Sequence, residues 1–404
     1  MGIPSLYTSI YIMTLVACSL NKRNIPFMVG DILWSSKFGK ENLVLPTNIY
    51  PINQFIPNEQ SLKPDSFNQK IYLINSRVCV CFSGDEIEIL KFLKEIKLRC
   101  RIYGDEIDAI HLKEFLDEYK LEEQFIKSSL IIFWMNKQGK GGMFNFPKNI
   151  HEFGENKNMS GWFHLRSDVF GEVYASGSGR NTYLDLLNQK IDFKSSHEAG
   201  DIWNAIQTNV GQIARLLALE KITALTFQQN WGGGFETIFY NGREFQKFDE
   251  ITYIISHGQF DETGDIGLPN PRLILYYKYY GERLLITAIE ILHASKEKVD
   301  KKITFNSNPG EFVVNFFVVS GIDEENISVD QLNPNFSFEC HTMAMGYGII
   351  SKTNSTYNPG YFVEHPELGV TYIHNKSVQL VLSEESVMTY PQAPAERFQT
   401  LNNR

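Results

Sequence analysis

The chain has 404 residues, enough for two or three domains and a sizeable core, since a domain averages roughly 150 residues. Hydrophobic residues make up 43% of the chain and charged residues 21%, a balance that excludes wholesale disorder. The formal net charge is −9 and no run of five or six like charges occurs, so no nucleic-acid partner is expected.

Cysteine usage and hydropathy indicate the compartment. The five cysteines are an odd number without a CxxC pair, so neither a disulfide scaffold nor a structural zinc site is predicted. No segment reaches ~18 consecutive apolar residues. A signal peptide would require a basic region near its start, but no Lys or Arg precedes Lys22. We therefore expect a cytoplasmic protein with no membrane partner.

The first predicted unit in chain order is a β-hairpin with strands over 11–20 and 27–34. Residues 35–69 are rich in Asn, Pro, Ser and Gln, which indicates a long insertion. Regular structure is expected to resume with short strands over 70–74 and 77–82, joined by a tight turn.

Helices are predicted next. Asp85 is placed to act as the N-cap of a helix over 86–97. A second helix over 111–123 has apolar residues at positions i, i+3, i+4 and i+7, the stripe of an amphipathic helix. Two further helices are predicted over 181–188 and 201–219, and the longer one has apolar residues along one face.

Strands are expected between and after these helices, over 129–136, 142–145, 161–176 and 235–240. From about residue 255 the pattern is mostly β, with one predicted helix over 281–295. Blocks of strands followed by blocks of helices favour sheets packed face to face over alternating β-α-β units.

Short motifs follow one another at recognisable intervals. Thr14 opens the first strand and Asp31 closes the second. Lys70 opens the third, and Gly84 lies fourteen positions after it. Ser178 is in a Gly-Ser-Gly turn that precedes a helix, and a run of three glycines opens a later strand. Together these motifs resemble those of the proteasome β-subunit and its bacterial two-tier relative, threonine peptidases of the N-terminal-nucleophile hydrolase fold.

The resemblance covers roughly residues 10–250. It implies an α+β fold, a four-layer αββα sandwich with two antiparallel sheets between helical layers. Residues 1–254 would form this domain, with 1–13 as a propeptide and 35–69 as an insertion. Residues 255–404 would be a β-rich C-terminal extension of unknown role.

The resemblance also implies a mechanism. Thr14 would be the nucleophile after removal of the segment before it, and its freed α-amine would be the base. Lys70 would lower the proton affinity of the hydroxyl, and Asp31 would hold Lys70 charged. The Gly84 N–H would donate to the oxyanion, and Ser178 would bond to the terminal amine. We expect autoprocessing and threonine-type endopeptidase activity on peptides or proteins.

Three departures from the family pattern keep other hypotheses open. Met13 stands where the family has a small residue. The position of the family's second aspartate falls on Gln229 or Asn230, which are not acids. The interval from Asp31 to Lys70 is long. A catalytically silent protein that binds or assembles others, or an amidohydrolase acting on small amides, therefore remains an alternative.

The remaining predictions concern partners and cofactors. The family works in rings, so the resemblance implies a homo-oligomer. Neither a cofactor nor a metal ion is expected, because His257, His293 and His341 lack the spacing of metal ligands. Without the family resemblance, Thr14 would be interpreted as an ordinary residue of a β-strand and Lys70 as a solvent-exposed residue at the edge of a strand.

Overall fold

A computed structural model of the chain describes residues 14–20, 25–36, 39, 43–48, 63–125, 128–146, 162–167, 170–188, 193–195, 201–223, 225–257, 259–260, 266–267, 271–280, 283–296, 303–314, 343–351, 356–365, 369–373 and 380–381. These residues form twenty-three strands and six α-helices. The predicted propeptide and much of the predicted insertion lie outside the described residues. No helix in the described ranges is long and apolar enough to cross a membrane.

The first sheet has six antiparallel strands and includes residues 16–20 and 27–31 of the first predicted hairpin. Its strands are β1 (Val16–Leu20), β2 (Pro26–Asp31), β9 (Trp162–Ser167), β10 (Gly171–Ser176), β12 (Phe235–Tyr240) and β13 (Phe245–Gln246). Their order is β13-β12-β2-β1-β10-β9. Val16 pairs with Gly30, and Phe235 pairs with Asp31. This register brings the start of β1, the end of β2 and the start of β12 to the same end of the sheet.

The second sheet is antiparallel and faces the first. Its strands, in spatial order, are β5 (Ile71–Asn75), β6 (Val78–Ser83), β7 (Ser129–Met135) and β8 (Gly141–Phe146). Apolar side chains of the two sheets share one core, as Val16 and Met28 do with Ile71 and Ile131. Between β2 and β5 in the sequence, β3 (Leu33–Ser36) pairs with β4 (Lys63–Phe67) as a two-stranded ribbon. The predicted insertion therefore begins and ends in paired strands.

Helices cover the outer face of the second sheet. They are α1 (Glu86–Tyr103), a 3-10 turn (Gly104–Glu106), α2 (Ala109–Tyr119) and α3 (Leu121–Gln124). The Asp85 side chain accepts hydrogen bonds from the amides of Ile87 and Glu88, which confirms the predicted N-cap. Lys120 has a left-handed backbone that divides the predicted helix over 111–123 in two. Phe92 and Phe115 pack against the sheet.

The remaining elements form a third sheet and three helices. The helices are α4 (Arg180–Asn188), α5 (Asp201–Thr223) and α6 (Leu225–Gln228). The nine strands of the sheet are β11 (Phe193–Ser195), β14 (Glu250–His257), β17 (Pro271–Tyr280), β18 (Arg283–Lys296), β19 (Ile303–Val314), β20 (Met343–Ser351), β21 (Thr356–His365), β22 (Gly369–Ile373) and β23 (Leu380–Val381). A short ribbon joins β15 (Gln259–Phe260) to β16 (Ile266–Gly267).

The helix α5 lies between the first and third sheets. Its buried residues Ile213 and Leu217 share a core with Val29 of the first sheet and with Tyr253 and Leu275 of the third. The strands β14, β20 and β21 contact α5 directly. The strand β14 pairs with β20 in parallel, whereas its other neighbour, β17, is antiparallel.

The predicted four-layer αββα sandwich with an appended extension is wrong. Strands greatly outnumber helices among the described residues, and α5 is not an outer layer, because the third sheet packs on it. The prediction failed because apolar strands after residue 255 need a surface on which to be buried, and α5 provides it. The predicted helix over 281–295 is also wrong, since residues 283–295 are part of β18. The predicted boundary after residue 254 falls within β14, and the division into two domains stays a prediction.

Candidate functional site

Thr14 and Asp31 meet at the end of the first sheet where β1 begins and β2 ends. Thr14 Oγ1 donates a hydrogen bond to Asp31 Oδ1 at 2.8 Å, and the Leu15 amide donates to the same oxygen at 2.7 Å. The Asp31 amide in turn donates to the Leu15 carbonyl at 2.9 Å. Thr14 is 2% exposed and Asp31 is fully buried. The hydroxyl proton of Thr14 therefore points at a buried carboxylate.

Lys70 reaches the same carboxylate from the second sheet, immediately before β5. Its Nζ lies 2.6 Å from Asp31 Oδ1 and 2.5 Å from the Leu33 carbonyl oxygen. Gly30 packs closely against this segment: a Cβ atom there would lie 3.0 Å from Ile71 Cγ2, a tight contact, and 3.5 Å from Lys70 Cβ, an ordinary one. One carboxylate oxygen thus contacts both the predicted nucleophile and the predicted lysine.

Burial changes the acid–base behaviour of the lysine. Removal from water lowers the pKa of Lys70, and the nearby Asp31 carboxylate opposes that shift without cancelling it. The Lys70 ammonium therefore releases its proton at lower pH than a lysine in water.

The predicted Gly-Ser-Gly turn binds the carbonyl group of Thr14. The Gly179 amide donates to the Thr14 oxygen at 3.1 Å, and Ser178 Oγ lies 3.5 Å from it. Gly177 has φ +93°, and a Cβ atom there would be 1.9 Å from the same oxygen. A side chain at Gly177 would therefore displace Thr14. In the intact chain Ser178 contacts the Thr14 carbonyl, whereas its predicted partner was the terminal amine.

Hydrogen bonds of Ser83, the residue before Gly84, connect Gly84 to the Gly-Ser-Gly turn. Ser83 Oγ lies 2.8 Å from Ser129 Oγ and 2.9 Å from Ser176 Oγ, and all three hydroxyls are buried. Ser176 directly precedes the turn that binds Thr14. Gly84 itself is half-buried with φ +135°. The serine cluster thus fixes the Gly84 turn relative to the turn that holds Thr14.

Sequence reasoning missed a buried acid, Glu220, at the end of α5. It is 1% exposed, and its two oxygens accept the Gly233 amide at 3.0 and 3.1 Å. The preceding amide, that of Gly232, donates to Asp31 Oδ2 at 2.9 Å. The glycine run therefore connects the two carboxylates. A glutamate directly after the apolar residues 216–219 was the signal that could have found it.

The two positions considered for a second acid have other surroundings. Gln229 Oε1 accepts hydrogen bonds from Trp231 Nε1 at 2.9 Å and from Thr182 Oγ1 at 3.2 Å. Asn230 is buried with φ +56°, in the left-handed region. Gln229 therefore anchors the fully buried Trp231, against which Gly179 packs.

The described part of the chain contains no group of three or more His, Cys, Asp or Glu side chains that could hold a metal ion. His341 and Cys340 lie outside that part. The other four cysteines are buried, free thiols: Cys18, Cys79, Cys81 and Cys100.

No protein-family model matches the chain, and neither does any curated protein. The resemblance to threonine peptidases therefore stays a prediction. What supports it is the contact of Thr14, Asp31 and Lys70.

Proposed function

We propose that this protein is a threonine-type peptidase that matures by cutting itself before Thr14. The observation that carries the proposal is the pair of contacts at Asp31 Oδ1, 2.8 Å to the Thr14 hydroxyl and 2.6 Å to the Lys70 ammonium. A threonine hydroxyl is a weak nucleophile that needs an adjacent base and a group that stabilises its alkoxide. Asp31 is within hydrogen-bond distance of the hydroxyl and is the proposed base for self-cleavage, and Lys70 contacts the same Asp31 oxygen.

Self-cleavage would begin with attack by Thr14 Oγ1 on the carbonyl carbon of Met13. Asp31 accepts the hydroxyl proton, and the Met13–Thr14 C–N bond breaks as an ester to Oγ1 forms. Asp31 returns this proton to the released nitrogen, which becomes the α-amine. Water then hydrolyses the ester, which leaves a carboxylate on Met13 and a free hydroxyl on Thr14.

The mature enzyme would use the new α-amine as its base. An α-amine has an ordinary pKa of about 8, so it accepts the hydroxyl proton near neutral pH. Lys70 stabilises the alkoxide, and the Gly84 amide is the proposed donor to the tetrahedral oxyanion. Ser178, already 3.5 Å from the Thr14 carbonyl, would turn to the amine once the chain is cut.

The proposal extends to substrate and setting. Peptides or proteins are the proposed substrates, and a homo-oligomer is proposed from the family resemblance. The net charge of −9 supports the absence of a nucleic-acid partner. The free, buried thiols support a reducing compartment such as the cytoplasm.

One observation favours the second candidate, a catalytically silent binding or assembly protein. Thr14 is 2% exposed and its hydroxyl is bonded to a buried carboxylate. No substrate could reach the hydroxyl in this form. The peptidase requires the chain to be cut so that the hydroxyl becomes accessible, whereas a binding protein does not.

A threonine-directed covalent inhibitor separates the two candidates. Purified protein is incubated with the inhibitor, digested and mapped by mass spectrometry. The peptidase predicts modification of Thr14 in wild type and in the control Thr237→Ala, which alters another threonine of the same sheet. It predicts no modification at this position in Thr14→Ala. An unmodified Thr14 after long incubation would leave the silent protein as the better account.

A further inference from the structure

The carboxylate of Glu220 is enclosed at the junction of α5, α6 and the glycine run. In addition to the Gly233 amide, it accepts a hydrogen bond from Thr226 Oγ1 at 2.8 Å. The hydroxyl of Thr47 also donates to it. Each carboxylate oxygen therefore has two hydrogen-bond partners, which holds the group in one orientation.

Gly232 transmits this orientation to Asp31. Its φ of +107° is accessible to glycine, and a Cβ atom there would lie 1.8 Å from Glu220 Oε2. The Gly232 carbonyl accepts the Leu33 amide at 3.0 Å, next to the carbonyl that contacts Lys70. The Gly233 amide donates to Glu220 and the Gly232 amide donates to Asp31. Adjacent residues of the glycine run therefore bind the two carboxylates.

We propose that Glu220 is a positioning residue for Asp31. It fixes the glycine run so that the Gly232 amide occupies Asp31 Oδ2 and leaves Oδ1 for Thr14 and Lys70. The role in catalysis rests on the proposed peptidase function, whereas the role in fixing the glycine run does not. Glu220 contacts neither Thr14 nor Lys70 and acts through Asp31.

The protonation of Glu220 gives this role a pH dependence. Burial raises the pKa of Glu220 to about 8, and the neighbouring Asp31 contributes in the same direction. Among the described residues, Tyr277 of β17 also interacts electrostatically with Glu220, and burial raises the pKa of Tyr277 far above its ordinary value. Near pH 7 Glu220 is therefore mostly neutral.

Ionisation of Glu220 above pH 8 places a second anion beside Asp31. That charge disfavours the developing oxyanion, so self-cleavage should slow. Glutamine has the shape of the neutral carboxyl group and cannot ionise. Glu220→Gln should therefore behave like wild type near pH 6.5 and lack the decline between pH 7 and 9.

Two variants and two readouts test the proposal. Hydrogen exchange of the Gly232 amide measures whether the glycine run is fixed, and intact mass against time measures cleavage before Thr14. Glu220→Ala should lose the protection of Gly232 and cleave roughly 100-fold more slowly, the effect of a displacement of about 1 Å. Glu220→Gln should retain protection and cleave within about threefold of wild type at pH 6.5. Glu172→Gln, a half-buried glutamate of β10, is the control.

The outcomes separate this proposal from the proposed function. A wild-type chain that never cleaves, with Gly232 protection lost in Glu220→Ala, overturns the peptidase and supports the fixed glycine run. Unchanged Gly232 protection in Glu220→Ala overturns the positioning role. If Glu220→Ala does not fold, Glu220→Gln decides: a decline in rate between pH 7 and 9 equal to that of wild type contradicts the proposal.

Discussion

Lys70 Nζ lies 2.6 Å from Asp31 Oδ1, with 2% and none of the respective side chains exposed. The two residues are 39 positions apart: Asp31 ends β2 of the first sheet, and Lys70 directly precedes β5 of the second. A buried ion pair is weak evidence for stability, because well-packed apolar side chains often stabilise a protein as much or more. Removal of one partner is nevertheless costly, so each member of the pair can be tested alone.

Asp31→Asn is expected to destabilise the protein by about 3–5 kcal/mol, the usual effect of leaving one buried charge unpaired. Lys70→Met should cost less. In Lys70→Met, Asp31 would still accept hydrogen bonds from Thr14, Leu15 and Gly232. In Asp31→Asn, the Lys70 ammonium would keep its hydrogen bond to the Leu33 carbonyl. Urea unfolding gives both free energies.

Glu123→Gln serves as the control for this comparison. It removes an exposed ion pair with Lys120, and such pairs contribute about 1 kcal/mol or less. A Lys70→Met variant less stable than Asp31→Asn would contradict the assignment of Asp31 as the centre of the site.

The turn at Gly177 gives a steric prediction. Gly177→Ala places a Cβ atom 1.9 Å from the Thr14 carbonyl oxygen, so the two segments must separate. Gly139→Ala is matched in backbone, with φ +73°, but meets nothing within 4 Å. We expect Gly177→Ala to cost about 1–3 kcal/mol more than Gly139→Ala, the range for overpacking. Equal thermal stability of the two variants would show that the turn does not hold Thr14.

The raised pKa of Glu220 predicts how stability depends on pH. Between the ordinary value of 4.5 and the folded value of about 8, the folded chain binds this proton more tightly than the unfolded chain. The contribution of Glu220 is therefore fully present below pH 4.5 and is lost as pH rises through 8. Relative to Glu220→Gln, wild type should lose stability steadily from pH 5 to pH 8 in urea unfolding. A constant difference would mean that Glu220 is ionised throughout.

Local signals in the sequence predicted part of this structure well. The N-cap at Asp85 and the long apolar helix α5 follow from side-chain chemistry and periodicity, which act within a few residues. The strand β18 was missed because its apolar residues also fit a helical stripe, although β-branched Ile286 and Thr287 favour a strand.

Long-range packing explains what the sequence could not show. The family resemblance predicted one site for Thr14, Asp31 and Lys70, and in the structure Thr14 and Lys70 both contact Asp31. The place of Glu220 depends on where α5 ends relative to the glycine run, which no local pattern encodes. In the same way, the third sheet was predicted as an extension because nothing in its own sequence reveals that α5 lies beneath it.

The most direct test of the proposed function is the N-terminal residue of the purified protein, read from its intact mass over time. The peptidase predicts that wild type and Thr237→Ala convert to a chain beginning at Thr14. Thr14→Ala should keep its full length, and Lys70→Met should convert much more slowly. A wild-type chain that retains Met13 after long incubation at pH 6.5 to 7.5 would contradict self-cleavage and with it the assignment of Thr14 as the nucleophile.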